Sequence, residues 1–291
     1  MRFLSSRQLV ISVAVIALLA TYGAYFYSRE EPPEVQQEVV APAPAYTRAV
    51  IGHSVEGRAI EAFTYGAGAR QLLFVGGMHG GYEWNSVLLA YEMMDYLVQH
   101  PDFVPSGMSV TIIPVANPDG LYRIVNKEGR FTLTDVPSDT DQSPGRFNAH
   151  EVDLNRNFDC KWQPESMWKS RTVSGGTAAF SEPESRALRD FVLTHKPVAV
   201  VFWHSKANAV YASECENGIL PITRDIMSAY AGAAGYPAVD SFDSYSVTGD
   251  AEGWLASIAI PAITVELKTH EDIEWDKNLL GVTALVKYFS K

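Results

Sequence analysis

The sequence predicts an α/β fold in which helices pack on a mostly parallel sheet. Short apolar runs rich in β-branched and aromatic residues alternate with longer segments of helical pattern, and no internal repeat is visible from Thr47 onward. The strand-like runs are residues 71–75, 109–115, 199–204 and 262–267. The helix-like segments are residues 85–98, 182–193, 220–234 and 276–289. At 291 residues and 47% hydrophobic, the chain can form one large domain.

Polar side chains stand where the predicted strands end. His79 follows the first strand, and Asn117 and Asp119 follow the second. His204 ends the third strand, and Glu266 lies near the end of the fourth. Ligands of open α/β sheets bind outside the carboxyl ends of the strands, so these residues predict a site at one edge of the sheet.

The first 46 residues have the composition of an anchor followed by a linker. Residues 9–27 form an apolar run without a charge, which at about 1.5 Å per residue nearly matches the hydrocarbon core of a bilayer. Because basic residues precede this run, residues 1–8 are expected in the cytoplasm and the rest outside it, periplasmic or extracellular. A cleaved signal peptide is the alternative. Residues 28–46 predict an extended linker, so the folded domain spans residues 47–291.

The charge balance argues against nucleic acid as a partner. Lys and Arg number 23 against 34 Asp and Glu, the net charge is −11, and no basic cluster occurs in the main body. Cys160 and Cys215 are the only cysteines. In an oxidising compartment they can pair, and otherwise they are two unlinked buried thiols.

Two histidines and one glutamate are candidate metal ligands. His79 and Glu83 leave the first strand in the segment GGMHGGYEWN, whose glycines let both side chains turn toward one point. Imidazole and carboxylate suit zinc, although this pair equally describes a helix start with a Glu near its positive end. His204 in AVVFWHS is the third candidate, or a core histidine that is only hydrogen-bonded. Three ligands leave a fourth position for a water of lowered pKa.

Two further motifs suggest proton transfer and carboxylate binding. Glu266 interrupts the apolar run ITVEL, where burial would raise its pKa and suit it to move protons; a structural ion pair is the alternative. The segment HEVDLNRNFD, residues 150–159, is dense in polar groups. Its Arg156 and Asn155 can grip a carboxylate through a planar fork and an amide donor, or the segment is a structural loop.

Taken in order, these motifs resemble the zinc carboxypeptidase family, of which pancreatic carboxypeptidase A is the familiar member. The resemblance rests on the pair His79 and Glu83, on VDLNRN at 152–157, on His204 and on TVEL at 264–267. The segments IGHSVEGRAI, PVANPDG, FSEPESRAL and SYSVTGDAEGW also have counterparts there. The resemblance implies a three-layer α/β/α sandwich around a mixed, mostly parallel sheet. It also implies a peptidase that removes C-terminal residues from peptides.

The family pattern, carried over residue by residue, implies one zinc ion held by His79, Glu83 and His204. Glu266 would activate the zinc-bound water as general base and then protonate the leaving amine. Asp153 matches the carboxylate that orients the first histidine.

The family pattern also implies how the substrate is bound. Arg146 resembles the arginine that stabilises the oxyanion of the tetrahedral intermediate. Asn155 and Arg156 resemble the clamp on the C-terminal carboxylate of the peptide, and Tyr245 resembles the mobile tyrosine that caps that carboxylate.

Two acidic residues bear on specificity. Asp250 and Glu252 fall near the floor of the family's pocket for the C-terminal side chain. They imply a preference for a basic or amino-bearing residue such as lysine, arginine or diaminopimelate, and an extracytoplasmic location suggests cell-wall peptides as substrates.

The chain departs from the family pattern at the first two ligands. Three residues separate His79 from Glu83, where the family has two. We expect the glycine-rich turn to absorb the extra residue. The spacing motivates one alternative function, a catalytically silent tethered protein that binds envelope peptides. A zinc amidase or deacylase of N-acyl amino acids is another alternative, because the resemblance covers such enzymes too.

Overall fold

The structure, a computed structural model, describes residues 6–27 and 45–291. Its α-helices in these ranges are α1 Ser6–Tyr27, α2 Trp84–Gln99, α3 Pro118–Val125, α4 Pro183–His195, α5 Pro221–Ala234, α6 Ala251–Ser257 and α7 Trp275–Phe289. Its strands are β1 Thr47–His53, β2 Ala59–Tyr65, β3 Arg70–Val75, β4 Met108–Ile113, β5 Glu165–Trp168, β6 Arg171–Ser174, β7 Ala199–Ser205, β8 Ala209–Ala212, β9 Glu214–Cys215, β10 Gly218–Ile219, β11 Ala238–Val239 and β12 Ala262–Leu267. Short 3-10 turns occur at Gly80–Glu83, Pro101–Phe103, Leu133–Asp135, Ser143–Arg146 and Leu154–Arg156.

Helix α1 belongs to a unit of its own. The chain divides into one compact unit, Met1–Ala43, and a second, Pro44–Lys291. Within the described residues, no helix has both the length and the apolar character needed to cross a membrane. The transmembrane anchor predicted at residues 9–27 is therefore not supported. The predicted segments 1–8 and 28–46 lie largely outside the described residues.

An eight-stranded mixed sheet forms the centre of the second unit, in the order β1-β2-β4-β3-β7-β12-β8-β11. Strands β4, β3, β7 and β12 are parallel to one another. Antiparallel pairs β1–β2 and β2–β4 lie on one side of this parallel centre, and β12–β8 lies on the other. This arrangement confirms the predicted α/β fold with a large mixed sheet.

Alternate residues of the central strands face two separate cores. In β3, Leu72 and Phe74 belong to the core that contains residues of α2, α5 and α7. Leu73 and Val75 belong to the core that contains residues of α4 and α6. Successive side chains of a strand point to opposite faces, so a strand buried on both faces reads as a continuous apolar run. Helices therefore cover both faces of the sheet.

Three neighbouring strands bring polar residues to one edge of the sheet. Strands β3, β7 and β12 are adjacent and parallel, and they correspond to the apolar runs predicted at 71–75, 199–204 and 262–267. In the β7–β12 register, Glu266 lies beside His204. The carboxyl ends of these strands therefore frame the candidate site.

Candidate active site

The first two candidate ligands are brought together by a tight turn. After β3, the chain turns through Gly80–Glu83 before α2 begins at Trp84. Gly80 has φ +43°, and a Cβ there would lie 2.7 Å from the backbone of Gly120 and of Gly145. Only glycine fits this left-handed, crowded position. With three residues between them, His79 Nδ1 and Glu83 Oε1 still lie 2.8 Å apart.

The third candidate ligand joins this pair from the next strand of the sheet. His204, near the end of β7, places its Nδ1 2.9 Å from Glu83 Oε2 and 3.2 Å from His79 Nδ1. All three side chains are buried, and one ligand atom from each lies within 4.8 Å of the others. The 3-10 turn therefore accommodates the altered spacing of His79 and Glu83 without separating the three groups.

The chemistry and spacing of this cluster fit zinc. Tetrahedral zinc with ligands at about 2.0–2.1 Å needs donor atoms roughly 3.3 Å apart, and two imidazoles with one carboxylate are a donor set of catalytic zinc sites. Burial by itself would raise the pKa of Glu83, but the adjacent imidazoles outweigh it and hold that pKa well below its ordinary value. Burial would lower the pKa of His204, but Glu83 raises it. Zinc coordination requires neutral imidazoles, so metal binding would release protons from this cluster.

A buried ion pair of Asp153 and Arg146 contacts His79 on the side of its ring that faces away from the cluster. Asp153 Oδ1 lies 3.3 Å from His79 Nε2. Arg146 donates from Nε and Nη2 to Asp153 Oδ2, each at 2.8 Å, and its guanidinium lies 4.7 Å from the centre of the Trp168 ring. Burial would raise the pKa of Asp153, but Arg146 and Arg156 outweigh it and keep the carboxyl ionised. A negative charge thus faces the His79 nitrogen remote from the cluster.

Glu266 stands beside the cluster on β12. Its Oε2 accepts a hydrogen bond from the Ala207 amide at 3.1 Å. Burial, together with the negative charge of Glu83, raises the pKa of Glu266 to about 7. A carboxyl group with this pKa can both accept and release a proton near neutral pH.

Two cavities meet at the cluster, and both are lined by His79, Arg146 and Glu266. The first, here called the Arg156 cavity, has a volume of about 330 Å³ and is also lined by Asn155, Arg156, Tyr211, Tyr245, Asp250 and Glu252. The second, here called the Lys169 cavity, has a volume of about 370 Å³ and is also lined by Tyr82, Trp168, Lys169, Ser205, Lys206 and His270. A chain lying across the cluster would therefore have one part in each cavity.

The polar groups of the Arg156 cavity are held by backbone hydrogen bonds. Arg156 Nε and Nη2 donate to the Met167 carbonyl at 3.2 and 3.0 Å. Asn155 Oδ1 accepts from the Ala251 amide at 2.9 Å. Tyr245 lies with its ring 4.8 Å from that of Phe242, and burial raises its pKa.

Asp250 and Glu252, the two acidic residues predicted to lie at the bottom of this cavity, have different surroundings. Asp250 caps α6 by accepting from the Gly253 amide at 2.7 Å, and burial together with the nearby Glu252 charge raises its pKa to about 6. Glu252 Oε1 lies 3.3 Å from His204 Nε2. Glu252 therefore faces His204 much as Asp153 faces His79, a relation that the sequence analysis missed.

A disulfide contributes Cys160 to the lining of the Arg156 cavity. Cys160 and Cys215 are joined with an S–S length of 2.06 Å across 55 residues of sequence. The bond links the segment that follows Arg156 to β9. A Cβ added to Gly253 would lie 3.0 Å from Cys160 Sγ, so the disulfide also packs closely against α6.

The residues specific to the Lys169 cavity were not identified from the sequence. Lys169 lies in the turn between β5 and β6, Lys206 follows β7, and His270 follows β12. For Lys206 and His270, closeness to the strand ends that carry His204 and Glu266 was the available signal. Lys169 has no such signal, because the β5–β6 hairpin lies far along the chain from every strand that frames the cluster.

Comparison with known proteins identifies the family. The sequence model described as zinc carboxypeptidase matches residues 34–272, so the chain belongs to the zinc carboxypeptidase family. This confirms the resemblance found in the sequence.

Individual relatives are distant. The chain is 24% identical to a γ-D-glutamyl-L-diamino acid endopeptidase 1 of Lysinibacillus sphaericus over 238 residues, which cover 75% of the chain but 59% of that relative. Bovine thrombin-activatable fibrinolysis inhibitor has the same fold, with a TM-score of 0.66 at 18% identity, over 84% of the chain and 90% of that structure. The murein-tripeptide amidase of Escherichia coli O157 also has this fold, with a TM-score of 0.61 at 21% identity. The match covers 84% of the chain and 94% of that structure.

Proposed function

We propose that this protein is a zinc-dependent carboxypeptidase that hydrolyses the C-terminal peptide bond of peptides, with cell-wall peptides as its substrates. The observation that carries the proposal is the convergence of His79, Glu83 and His204 with Glu266 beside them on the neighbouring strand. A pure binding protein has no need of a partly buried carboxyl whose pKa is near 7.

In this proposal His79, Glu83 and His204 hold the zinc. Bound there, zinc would lower the pKa of a water molecule and polarise the scissile carbonyl group. Glu266 takes a proton from that water and delivers it to the leaving amine, a double role suited to its pKa of about 7. Asp153 and Glu252 keep the two imidazoles oriented through the nitrogens that face away from the cluster.

Arg146 and the Arg156 cavity bind the substrate. Arg146 lines both cavities, and its Nη1 lies 3.8 Å from Glu83 Oε1. Because of this position, the guanidinium group is suited to stabilise the negative oxygen of the tetrahedral intermediate. Arg156 and Asn155 clamp the terminal carboxylate of the peptide, with Tyr245 as a cap over it. The hydrogen bonds that fix Arg156 and Asn155 pre-organise this clamp.

Asp250 and Glu252 select the C-terminal side chain. Two carboxyl groups in the lining of the cavity favour a cationic group there, so the proposed C-terminal residues are lysine, arginine and diaminopimelate. The names of two similar proteins, a diamino acid endopeptidase and a murein-tripeptide amidase, support this choice. The Cys160–Cys215 disulfide supports an oxidising, extracytoplasmic location, where such peptides occur.

One set of measurements tests the proposal. Zinc content is determined by elemental analysis, and hydrolysis is followed with peptides that differ only in their C-terminal residue, beside Glu266→Gln. We expect one zinc per chain, turnover of basic C-termini and a loss of turnover in the variant. Bound metal without turnover would indicate a binding protein, turnover of N-acyl amino acids alone would indicate a deacylase, and faster cleavage of neutral apolar C-termini would remove the proposed specificity.

A further inference from the structure

The β5–β6 hairpin is given no role by the proposed function, although it contacts both of the arginines proposed to bind the substrate. The Met167 carbonyl accepts two hydrogen bonds from Arg156. The next residue, Trp168, has its ring centre 4.7 Å from the guanidinium carbon of Arg146. One short strand therefore contacts the residue proposed to bind the terminal carboxylate and the residue proposed to stabilise the oxyanion.

The indole ring of Trp168 is held in place by close packing. It is buried, and it forms a small apolar cluster with Phe147 and Val173. Tyr82 belongs to the turn that carries Glu83, and its ring lies 5.1 Å from the indole at an interplanar angle of 82°. Because buried side chains in such contacts have little room to move, the indole presents a face of fixed orientation.

The hydrogen bonds of Arg146 fix the position of its guanidinium group but not its tilt. Nε and Nη2 both donate to the same atom, Asp153 Oδ2. Two bonds to a single oxygen leave the guanidinium plane free to tilt about that oxygen. The remaining nitrogen, Nη1, lies 3.8 Å from Glu83 Oε1 and is the one directed at the ligand cluster. A tilt of the plane would therefore move Nη1 away from the position of the oxyanion.

The face of the Trp168 ring supplies the restraint that the hydrogen bonds of Arg146 lack. The guanidinium group lies over this face, where a cation is attracted by the ring and a planar group packs closely. Both side chains are buried, so water does not weaken the contact. Arg156 needs no such ring, because it donates to two separate carbonyls, those of Met167 and Asn155. Two acceptors fix its plane, whereas Arg146 has one acceptor oxygen among the described residues.

We propose that Trp168 is a positioning residue for Arg146, and that its indole face holds the guanidinium plane so that Nη1 is directed at the oxyanion. The inference rests on the proposed function for the oxyanion role of Arg146. This contact acts on the transition state, so kcat depends on it and KM does not. A general loosening of the hairpin would instead move the Met167 carbonyl away from Arg156 and raise KM.

Two variants of Trp168 separate the aromatic face from apolar bulk. Trp168→Leu stays apolar but has no face, whereas Trp168→Phe keeps one. With the zinc-loaded full chain and the peptide that wild type cleaves fastest, we expect kcat of Trp168→Leu to fall about thirtyfold, less than the roughly hundredfold loss on removing an oxyanion donor. KM should stay within about twofold of wild type, and Trp168→Phe should keep kcat within about threefold.

The matched control is Trp275→Leu, which removes an indole packed against Tyr96 of α2 and should leave kcat and KM unchanged. Three results would overturn the proposal. They are a kcat of Trp168→Leu within about twofold of wild type, a loss carried by KM, and an equal loss of kcat in Trp168→Phe.

A double-mutant cycle shows whether Trp168 acts through Arg146. Arg146→Lys keeps a positive charge beside Asp153 but has no planar group whose tilt an indole could hold. In the Arg146→Lys background, Trp168→Leu should lower kcat by less than about threefold, so the two changes are not additive. A further loss of about thirtyfold in that background would show that Trp168 acts independently of Arg146 and would overturn the proposal.

Crystal structures of wild type and both Trp168 variants separate this inference from the proposed function, because they do not depend on turnover. In Trp168→Leu we expect the guanidinium plane of Arg146 to be tilted about its contact with Asp153, with Nη1 displaced by about 1 Å, a shift large enough to impair catalysis. Trp168→Phe should keep the wild-type orientation. If wild type hydrolyses no peptide but this difference is observed, the proposed function fails and the positioning role stands. The same Arg146 orientation in all three proteins would overturn the positioning role even if peptides are hydrolysed.

Discussion

The two cavities beside the His79, Glu83 and His204 cluster are built in different ways. In the Arg156 cavity, backbone hydrogen bonds fix Arg156 and Asn155 in place. In the Lys169 cavity, the ammonium groups of Lys169 and Lys206 are the ends of exposed, flexible side chains, and the buried Arg146 is shared with the Arg156 cavity. A fixed planar fork recognises the position and orientation of a carboxylate, whereas an ammonium group on a flexible stem recognises charge over a wider range of positions. The first cavity is therefore suited to bind a carboxylate in one defined position, and the second to attract negative charge without fixing its position.

The largest expected effect concerns Glu266, which both cavities share. Glu266→Gln keeps the shape of the side chain but removes the proton acceptor, so kcat should fall by roughly a thousandfold, within the range of general acid–base catalysis. Zinc content should remain unchanged, because Glu266 is not among the proposed ligands. The matched control is Glu271→Gln, an exposed carboxylate just after β12. A Glu266→Gln variant that retains a tenth of wild-type kcat would contradict the proposed mechanism.

The next effect concerns the stability of the folded chain and the ionisation of Asp250, which lines the Arg156 cavity. The folded pKa of Asp250 is about 6 against an ordinary 3.8, so its ionised form is less favourable in the folded than in the unfolded chain. This penalty is absent below about pH 4, grows as the pH rises to about 6 and is complete above it. This pKa difference corresponds to about 3 kcal/mol of unfolding free energy.

Asp250→Asn should therefore be more stable than wild type above pH 6, by up to about 3 kcal/mol in urea unfolding at pH 8. Asparagine can still accept the Gly253 amide hydrogen at the start of α6, so the cap is retained. The two proteins should have equal free energies of unfolding at pH 4. A difference that does not change with pH would show that ionisation of Asp250 is not its cause.

The third prediction tests whether the Arg156 cavity depends on a fixed fork. Arg156→Lys keeps the charge but loses the hydrogen bonds to the Met167 carbonyl and the bidentate grip on a carboxylate. We expect kcat/KM for peptides with a free C-terminus to fall about thirtyfold, equivalent to about 2 kcal/mol of charged hydrogen bonding. Peptides with an amidated C-terminus lack the carboxylate and serve as the control. An equal loss for both peptides would assign Arg156 a structural role instead.

The same contrast explains how much of the site the sequence predicts. His79, His204 and Glu266 could be identified because each ends or interrupts an apolar run, and such a run fixes the strand and the edge where the residue lies. The β3, β7 and β12 strands follow the predicted boundaries for the same reason. Lys169 is an exposed lysine in a hairpin, which is the ordinary composition of a surface turn. Its place at the cluster depends on how the β5–β6 hairpin packs, and no local pattern encodes that packing.

The contact between Glu252 and His204 could not be predicted from the sequence for a different reason. Its distance along the chain from Tyr245 suggested the floor of a specificity pocket, and it does line the Arg156 cavity. Its carboxylate also lies 3.3 Å from His204 Nε2, because α6 packs against the face of the sheet beneath β7 and β12. This contact joins residues that are 48 positions apart and belong to different motifs, so spacing within one motif could not reveal it.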